Sequence, residues 1–454
     1  MLNLVARFDV LVIGSGSAGT AAALGCRKAG RSVAVAESRE LGGTCVLRGC
    51  DPKKVLVEAA RASDALRRYE KLGVFRDTPP LDWAALMRFK RTFTQPAPAQ
   101  RQRTYDDAGI ATLHGTVSFT GERTLEIDGR AVEAENVVIA TGAKTMHVAA
   151  GDDALLTSED FLNLEALPAS LVFVGGGYIA FEFAHIAARA GAKITILNAD
   201  PHALSGFDSA LADRLCAFSQ SLGMTIELDT RVQRVQRDAQ GVTVYAKKGG
   251  EDVSYRAAAG VLAAGRVPDL DALALGRAGV TVGKHGISVN ERLQSTTNPH
   301  VYAAGDCADG GGKPLTPVAG TQGAIVAHNL TNDDKRHFDP SGLASIVYTI
   351  PALATVGLGE SLARERKIDL AVHEGETGGW YSTRSTASDT GYYRIFTDRA
   401  SGGIVGGSIF GVHAEEQINV LALAIRAKVP ASVLLDTLFA YPTGSSDMEF
   451  LIGD

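Results

Sequence analysis

Cys45 and Cys50 stand five positions apart in the segment GGTCVLRGCDPKK, Gly42 to Lys54. Two thiols at that spacing could close a disulfide and open it again, with a thiolate as the attacking species. A helical pattern follows from about Val55 to Tyr69. On a regular helix, Cα atoms five apart lie about 8–9 Å from each other, and a disulfide needs roughly 4.4–6.8 Å. Pairing therefore requires a distorted first turn, for which Gly49 and Pro52 are suited. A place beside a helix N-terminus would stabilise the thiolate. The plainer alternative is two buried thiols near a turn, and spacing alone leaves both open. No metal is expected, because four intervening residues miss the zinc-ribbon spacing and no second pair or histidine cluster completes a site. Cys26, Cys216 and Cys307 each stand alone and read as core thiols. Arg48 either faces an anionic substrate or is an exposed charge on the first turn.

The elements around the pair point to nucleotides. Phe8 to Ile13 (FDVLVI) reads as a buried strand. Gly14-Ser-Gly16-Ser-Ala-Gly19 and a helical run follow at once. Gly14 permits the tight turn, Gly16 lets the backbone approach a pyrophosphate, and Gly19 allows close helix–strand packing. The pyrophosphate would sit on the helix N-terminus. A second strand, Ser32 to Ala36, ends at Glu37, placed 23 residues after Gly14, where an acid accepts from ribose hydroxyls. The unit then recurs as strand Leu171 to Val174, Gly175-Gly-Gly177-Tyr-Ile-Ala180, a helix, and strand Lys193 to Leu197 ending at Asn198. Two dinucleotide sites in one chain predict an enzyme that passes electrons between two nucleotides.

Composition agrees with that reading. The 454 residues suggest about three domains. Glycine, 50 residues or about 11% against a usual ~7%, fits α/β domains with many tight turns. A net charge of −6 with no basic run makes a nucleic-acid partner unexpected. Five cysteines in a chain this long are not a secreted disulfide framework. Met1 to Ile13 lacks the order of a signal peptide, and no apolar run of about 18 residues predicts a membrane span. A soluble, cytoplasmic protein is expected.

The ordered motifs strongly resemble the class I pyridine nucleotide–disulfide oxidoreductases, the family of glutathione reductase, dihydrolipoamide dehydrogenase and mercuric reductase. Beyond the first fingerprint and GGTCVLRGCDPKK they are VIATGAK (Val138 to Lys144), GGGYIAFE (Gly175 to Glu182) and GRVPD (Gly265 to Asp269). AAGDCA (Ala303 to Ala308), LTPVA (Leu315 to Ala319) and VHAEEQIN (Val412 to Asn419) complete the series. The resemblance implies an α/β fold with two Rossmann-type dinucleotide-binding domains, for FAD and NAD(P)H, plus a C-terminal α+β dimerisation domain. The FAD domain would take residues 1–145 and 265–334, the NAD(P)H domain 146–264, and the interface domain 335–454. A cytoplasmic homodimer with a redox-active Cys45–Cys50 disulfide and a role in cell redox homeostasis would follow.

The resemblance also implies residue roles. Gly14, Gly16, Gly19, Glu37, Thr44, Thr141, Gly142, Asp306 and Thr316 would hold FAD, with Glu37 on the adenosine ribose, Asp306 at the ribityl–phosphate region and Thr316 near the ring. Gly175, Gly177, Tyr178, Ala180, Asn198 and Gly265 would hold NADH or NADPH, Tyr178 covering the nicotinamide pocket. Cys45 would attack substrate, Cys50 would lie against the flavin, and Lys53 and Glu182 would pair near it. The substrate's proton would come from a His–Glu pair of the other subunit, but here Tyr441 and Ser446 occupy those places. A phenol with a pKa near ~10 cannot cycle a proton as an imidazole at ~6.5 does. Asp447, one residue along, is expected as a partial substitute, out of register with the missing acid.

The implied activity is reduction of a small disulfide or thiol-linked acceptor. The alternatives are a quinone or metal-ion reductase using the same flavin, or a flavin redox sensor without turnover. Tyrosine at 441 resembles mercuric reductases, but their additional C-terminal cysteine pair is missing from Glu449 to Asp454, which disfavours that activity. Ala199 and Ser205 lie where NADPH-dependent members carry arginine, and Asp200 would repel a 2′-phosphate. The expectation leans to NADH, with His202 as the residue that most opposes it.

Overall fold

The computed structural model describes residues 6–453. The reading of the leader falls partly on residues 1–5, which lie outside the described residues. The chain divides into two compact units. The first comprises Met1–Lys53, Phe89–Met146 and Arg266–Pro340; the second comprises Lys54–Arg88, His147–Gly265 and Ser341–Asp454.

In the first unit, Ala6–Ile13 lies between Val33–Glu37 and Arg130–Ile139, parallel to both. Ala111–His114 extends one side, and Val301–Ala303 pairs in parallel with Arg130–Ile139. Residues 10–13, 33–36 and 137–139 of these strands are apolar without a break because both sheet faces are covered there. The alternation assigns each face its side chains: Leu11, Ile13, Ala34 and Ala36 enter one core cluster. Val10, Val12, Val33 and Val35 enter another, with Ala22, Ala23 and Cys26 of the Ser17–Lys28 helix. Gly14 joins strand to helix at φ +103, and a Cβ there would lie 2.3 Å from the Ala140 carbonyl oxygen. Gly323 of the Thr316–Thr331 helix meets the first helix so closely that a Cβ would lie 2.1 Å from the Ala18 carbonyl oxygen.

The second unit repeats the parallel arrangement. Ser170–Val174 pairs with Lys193–Leu197 and Ala259–Leu262, and Thr225–Glu227 extends the sheet. The Tyr178–Arg189 helix follows the second glycine turn, and Ala180, Phe181, Ala184 and Ile186 are fully buried in its core. An antiparallel sheet, Thr230–Asp238, Gly241–Lys248 and Glu251–Ala257, completes this part. The C-terminal segment forms a five-stranded antiparallel sheet packed against the Ala414–Ala427 helix. Among the described residues, no helix is long and apolar enough to cross a membrane.

The strand expectations agree with the observed elements to within a residue or two. The redox loop differs. The long helix begins at Cys50 and runs to Lys71, and a separate short helix, Gly43–Arg48, carries Cys45. The break falls at Gly49, with φ −149 and ψ −109. The two cysteines therefore stand on different helices, and the geometric objection to their pairing, which assumed a single helix, does not apply.

Candidate active site

Glu37 ends its strand facing the glycine turn. Its Oε2 accepts from the Ser15 N–H at 3.0 Å and the Ser15 hydroxyl at 2.7 Å, and its Oε1 accepts from the Arg39 N–H at 3.0 Å. Because a carboxylate offers about four acceptor positions, one remains for a further hydroxyl. Beyond it, Ser38, Arg39, Glu40, Leu41, Pro98 and His114 line a cavity of about 530 Å³, within the range of a small-molecule site. Gly43 presses on Gly16, where a Cβ on Gly43 would lie 2.5 Å from the Gly16 Cα; a Cβ on Gly16 would meet nothing nearer than 3.9 Å. That leaves bare backbone beside the helix N-terminus, the chemistry a pyrophosphate needs. Thr141 adds a buried hydroxyl with no hydrogen-bond partner among the described residues, beside Gly142 at φ +71. Burial raises the Asp306 carboxyl above its ordinary value, with Arg266 opposing the shift. This donor set fits FAD.

The sulfur pair lies in the same unit. Cys45 and Cys50 are both thiols here, and they hydrogen-bond each other. The Cys50 sulfur also lies 3.3 Å from the Thr316 hydroxyl, which opens the Thr316–Thr331 helix. The hydrogen bond from Cys45 pulls the Cys50 thiol down to about 6, against burial and with help from Thr316 and the Lys53 charge. The hydrogen bond to Cys50 and burial push Cys45 up. The contacts therefore favour negative charge on Cys50 over Cys45. Cys45 also donates to Oδ1 of Asp51 at 3.8 Å. Burial pushes Cys26 up to about 11 and Cys216 up to about 12, and it raises Cys307, so all three are inert core thiols as expected. Arg48 fits neither expectation: its side chain is 11% exposed and its guanidinium binds Glu40 at 2.9 Å.

The second fingerprint has the same construction. A Cβ on Gly175, at φ +109, would lie 2.4 Å from the Ala263 carbonyl oxygen, and Gly177 stays open to 3.9 Å. Tyr178 opens the following helix at the surface, and Ala180 is buried where the first fingerprint has its third glycine. Asn198 is buried, and its amide is committed. Oδ1 accepts from the Gly176 N–H at 3.2 Å, and Nδ2 donates to the carbonyls of Asp200 and His202 at 2.8 and 3.0 Å. Both amide protons are used, so Asn198 has an acceptor to offer a ribose but no donor to offer a phosphate. The His202 ring faces Asp213 at 3.4 Å. Glu182 is buried and accepts from the Tyr348 N–H at 2.9 Å. Lys53 ends the first of the three segments of the first unit, and Glu182 belongs to the second unit.

In the C-terminal segment, Tyr441 is 78% exposed and stacks on Tyr381, with ring centroids 6.3 Å apart. Ser446 is bound within a turn, its hydroxyl donating to the Thr443 carbonyl at 2.6 Å. Asp447, expected as a partial substitute for the absent acid, is 8% exposed and accepts from the Ser382 hydroxyl. Burial raises its carboxyl, and it braces the turn from inside. Three residues had no expected role: Ser15, Asp51 and Tyr381. A carboxylate beside Cys50 in the redox loop was the available signal for Asp51; Ser15 and Tyr381 are identified only by their contacts.

Comparison with known proteins agrees with this geometry. The pyridine nucleotide-disulphide oxidoreductase profile matches residues 8–323, and the dimerisation-domain profile of that family matches 343–450. The chain is 29% identical to a glutathione reductase of Burkholderia cepacia over 437 residues, covering 96% of each protein. It is 30% identical to a dihydrolipoyl dehydrogenase of Bacillus subtilis (strain 168) over 446 residues, again 96% of each. Among solved structures, the Cu(II) complex of the HOCl-induced flavoprotein disulfide reductase RclA from Escherichia coli superposes with a TM-score of 0.87. That pair is 27% identical over 98% of both chains.

Proposed function

The chain belongs to the pyridine nucleotide-disulphide oxidoreductase family, and from that premise we propose that Cys45 and Cys50 form the working redox pair of a small-disulfide reductase. It is a flavoprotein oxidoreductase that uses FAD and NAD(P)H. The observation that carries the proposal is the sulfur pair itself: Cys45 and Cys50 are hydrogen-bonded to each other, and the Cys50 sulfur lies 3.3 Å from the Thr316 hydroxyl.

When bound, FAD would supply two-electron chemistry between the nicotinamide and the sulfurs. Glu37, Thr44, Thr141, Gly142, Asp306, Thr316 and the glycines Gly14, Gly16 and Gly19 are the residues that would hold it. Gly175, Gly177, Tyr178, Ala180, Asn198 and Gly265 would hold the nicotinamide dinucleotide, with Lys53 and Glu182 as an ion pair near the flavin. Cys50 then keeps the negative charge on sulfur, and Cys45 attacks the acceptor disulfide. The chain would act as a cytoplasmic homodimer, with residues 1–145 and 265–334 binding FAD, 146–264 binding NAD(P)H and 335–454 joining subunits. The acceptor-only face of Asn198 favours NADH over NADPH, because a 2′-phosphate needs donors. A metal-ion acceptor is a second reading, favoured by Tyr441: a metal taking electrons from the dithiol requires no imidazole acid.

The test is anaerobic oxidation of NADH and of NADPH by the holoenzyme, with glutathione disulfide and Cu(II) as separate acceptors. The expected result is NADH-driven disulfide reduction that Cys45→Ser abolishes while flavin reduction by NADH continues. Turnover with Cu(II) alone would transfer the assignment to the second reading. Disulfide reduction that survives Cys45→Ser would refute the role of the pair.

A further inference from the structure

We infer that Asp51 carries the proton of thiol–disulfide exchange, taking it from Cys45 as that sulfur attacks and passing it to the departing sulfur. The inference rests on the Cys45–Cys50 pair being the redox pair. Exchange poses a proton problem that this chain does not solve at position 441. Cys45 is held as a thiol, and a thiol is a poor nucleophile, so its proton must leave as the new S–S bond forms. The sulfur released from the substrate must gain one. Tyr441 is a phenol, Ser446 is bound to Thr443, and Asp447 is turned inward to Ser382. The hydroxyl of Thr316 bonds both sulfurs, and an alcohol does not hold an extra proton at neutral pH.

Asp51 has the required position. It occupies the first turn of the Cys50–Lys71 helix, is exposed, and its Oδ1 accepts from the Cys45 thiol at 3.8 Å. The helix start holds it there, since the Lys53 N–H closes on the Gly49 carbonyl at 3.0 Å. A carboxylate has two oxygens, so it can receive a proton from one sulfur and deliver it to another within a single exchange. No charge accumulates, because the proton ends on the thiol that leaves.

The Cys45 thiol loses its proton to Asp51, and its electron pair forms a bond to one substrate sulfur. The substrate S–S bond breaks, its electrons stay on the departing sulfur, and Asp51 returns the proton to that sulfur. The Cys50 thiolate then attacks Cys45, the Cys45–Cys50 bond forms, and the second substrate thiolate departs. One dithiol has been oxidised and one disulfide reduced.

The test is rapid mixing of the NADH-reduced holoenzyme with two neutral disulfides, so that substrate charge does not enter the comparison. Bis(2-hydroxyethyl) disulfide releases a thiolate that needs a proton; 4,4′-dithiodipyridine releases a stable thione and does not. Asp51→Asn should slow reaction with the first by about 100-fold, the ordinary scale of acid–base assistance. With the second the loss should be markedly smaller, and Asp51→Glu should restore part of the rate with the first. No loss with either probe, or a faster Asp51→Asn enzyme, would overturn the inference, the latter because the carboxylate would then only restrain Cys45; equal loss with both would overturn the return of the proton to the departing sulfur. Should the variants not fold, the solvent isotope effect of the wild-type enzyme decides: slowing in D2O with the first probe supports the relay, and an unchanged rate refutes it. The redox-pair reading is checked separately by counting thiols gained per FAD on anaerobic NADH addition.

Discussion

Cys50 sits between a thiol that donates to it and the Thr316 hydroxyl at 3.3 Å, with the Lys53 charge nearby. Each of these contacts favours the charged form, and together they outweigh burial. An ordinary cysteine would be almost wholly protonated at neutral pH, whereas this one is ionised above about 6. The direction of the pH dependence follows: the thiolate is present above that value and is lost as pH falls through it. In the reduced holoenzyme, thiolate ultraviolet absorbance should therefore rise through an inflection near pH 6. That step should vanish in Cys50→Ser and move to higher pH in Thr316→Val. An inflection near the ordinary thiol value in the unaltered protein would contradict the assignment of the charge to Cys50.

The elements that bring these atoms together are helices whose spacing is set by glycine. The Thr316–Thr331 helix delivers Thr316 from 266 positions along the chain. It does so while packing Gly323 against the carbonyl of Ala18 and Ala327 against Gly25 in the Ser17–Lys28 helix. A methyl at Gly323 would lie 2.1 Å from the Ala18 carbonyl oxygen, and that backbone belongs to the nucleotide-binding turn. Gly323→Ala should cost about 1–3 kcal/mol, the usual penalty of overpacking. It should also loosen FAD retention and raise the Cys50 inflection, because the helix carrying Thr316 must shift. Calorimetry and the flavin-to-protein ratio after gel filtration are the checks; an unchanged ratio and melting temperature would show that the helices separate without strain.

At the scale of the whole molecule, one chain carries two nucleotide folds and a segment matching the family's dimerisation domain. That segment leaves Leu438 99% exposed, with Leu423, Val433 and Phe450 also at the surface. Apolar side chains so placed are suited to an interface between subunits. Leu438→Asp should shift the protein toward monomers in sedimentation and lower disulfide turnover with it, while leaving flavin reduction by NADH in place. A dimer that withstands the change would place the contact elsewhere. The sequence by itself determined both glycine fingerprints, the strands that precede them and the cysteine spacing. These are local requirements, and at Gly14 and Gly175 the turn has no room for a Cβ. The two acceptor positions, Glu37 and Asn198, were legible for the same reason, since each closes the strand after its turn. Only the tertiary structure decided the hydrogen-bond partners: Thr316 on Cys50, Asp51 on Cys45, Asp447 turned inward to Ser382, and both amide protons of Asn198 spent on carbonyls. Spacing along a chain limits which residues can meet, but the fold selects which polar groups satisfy one another, and that selection separates a reactive side chain from a structural one.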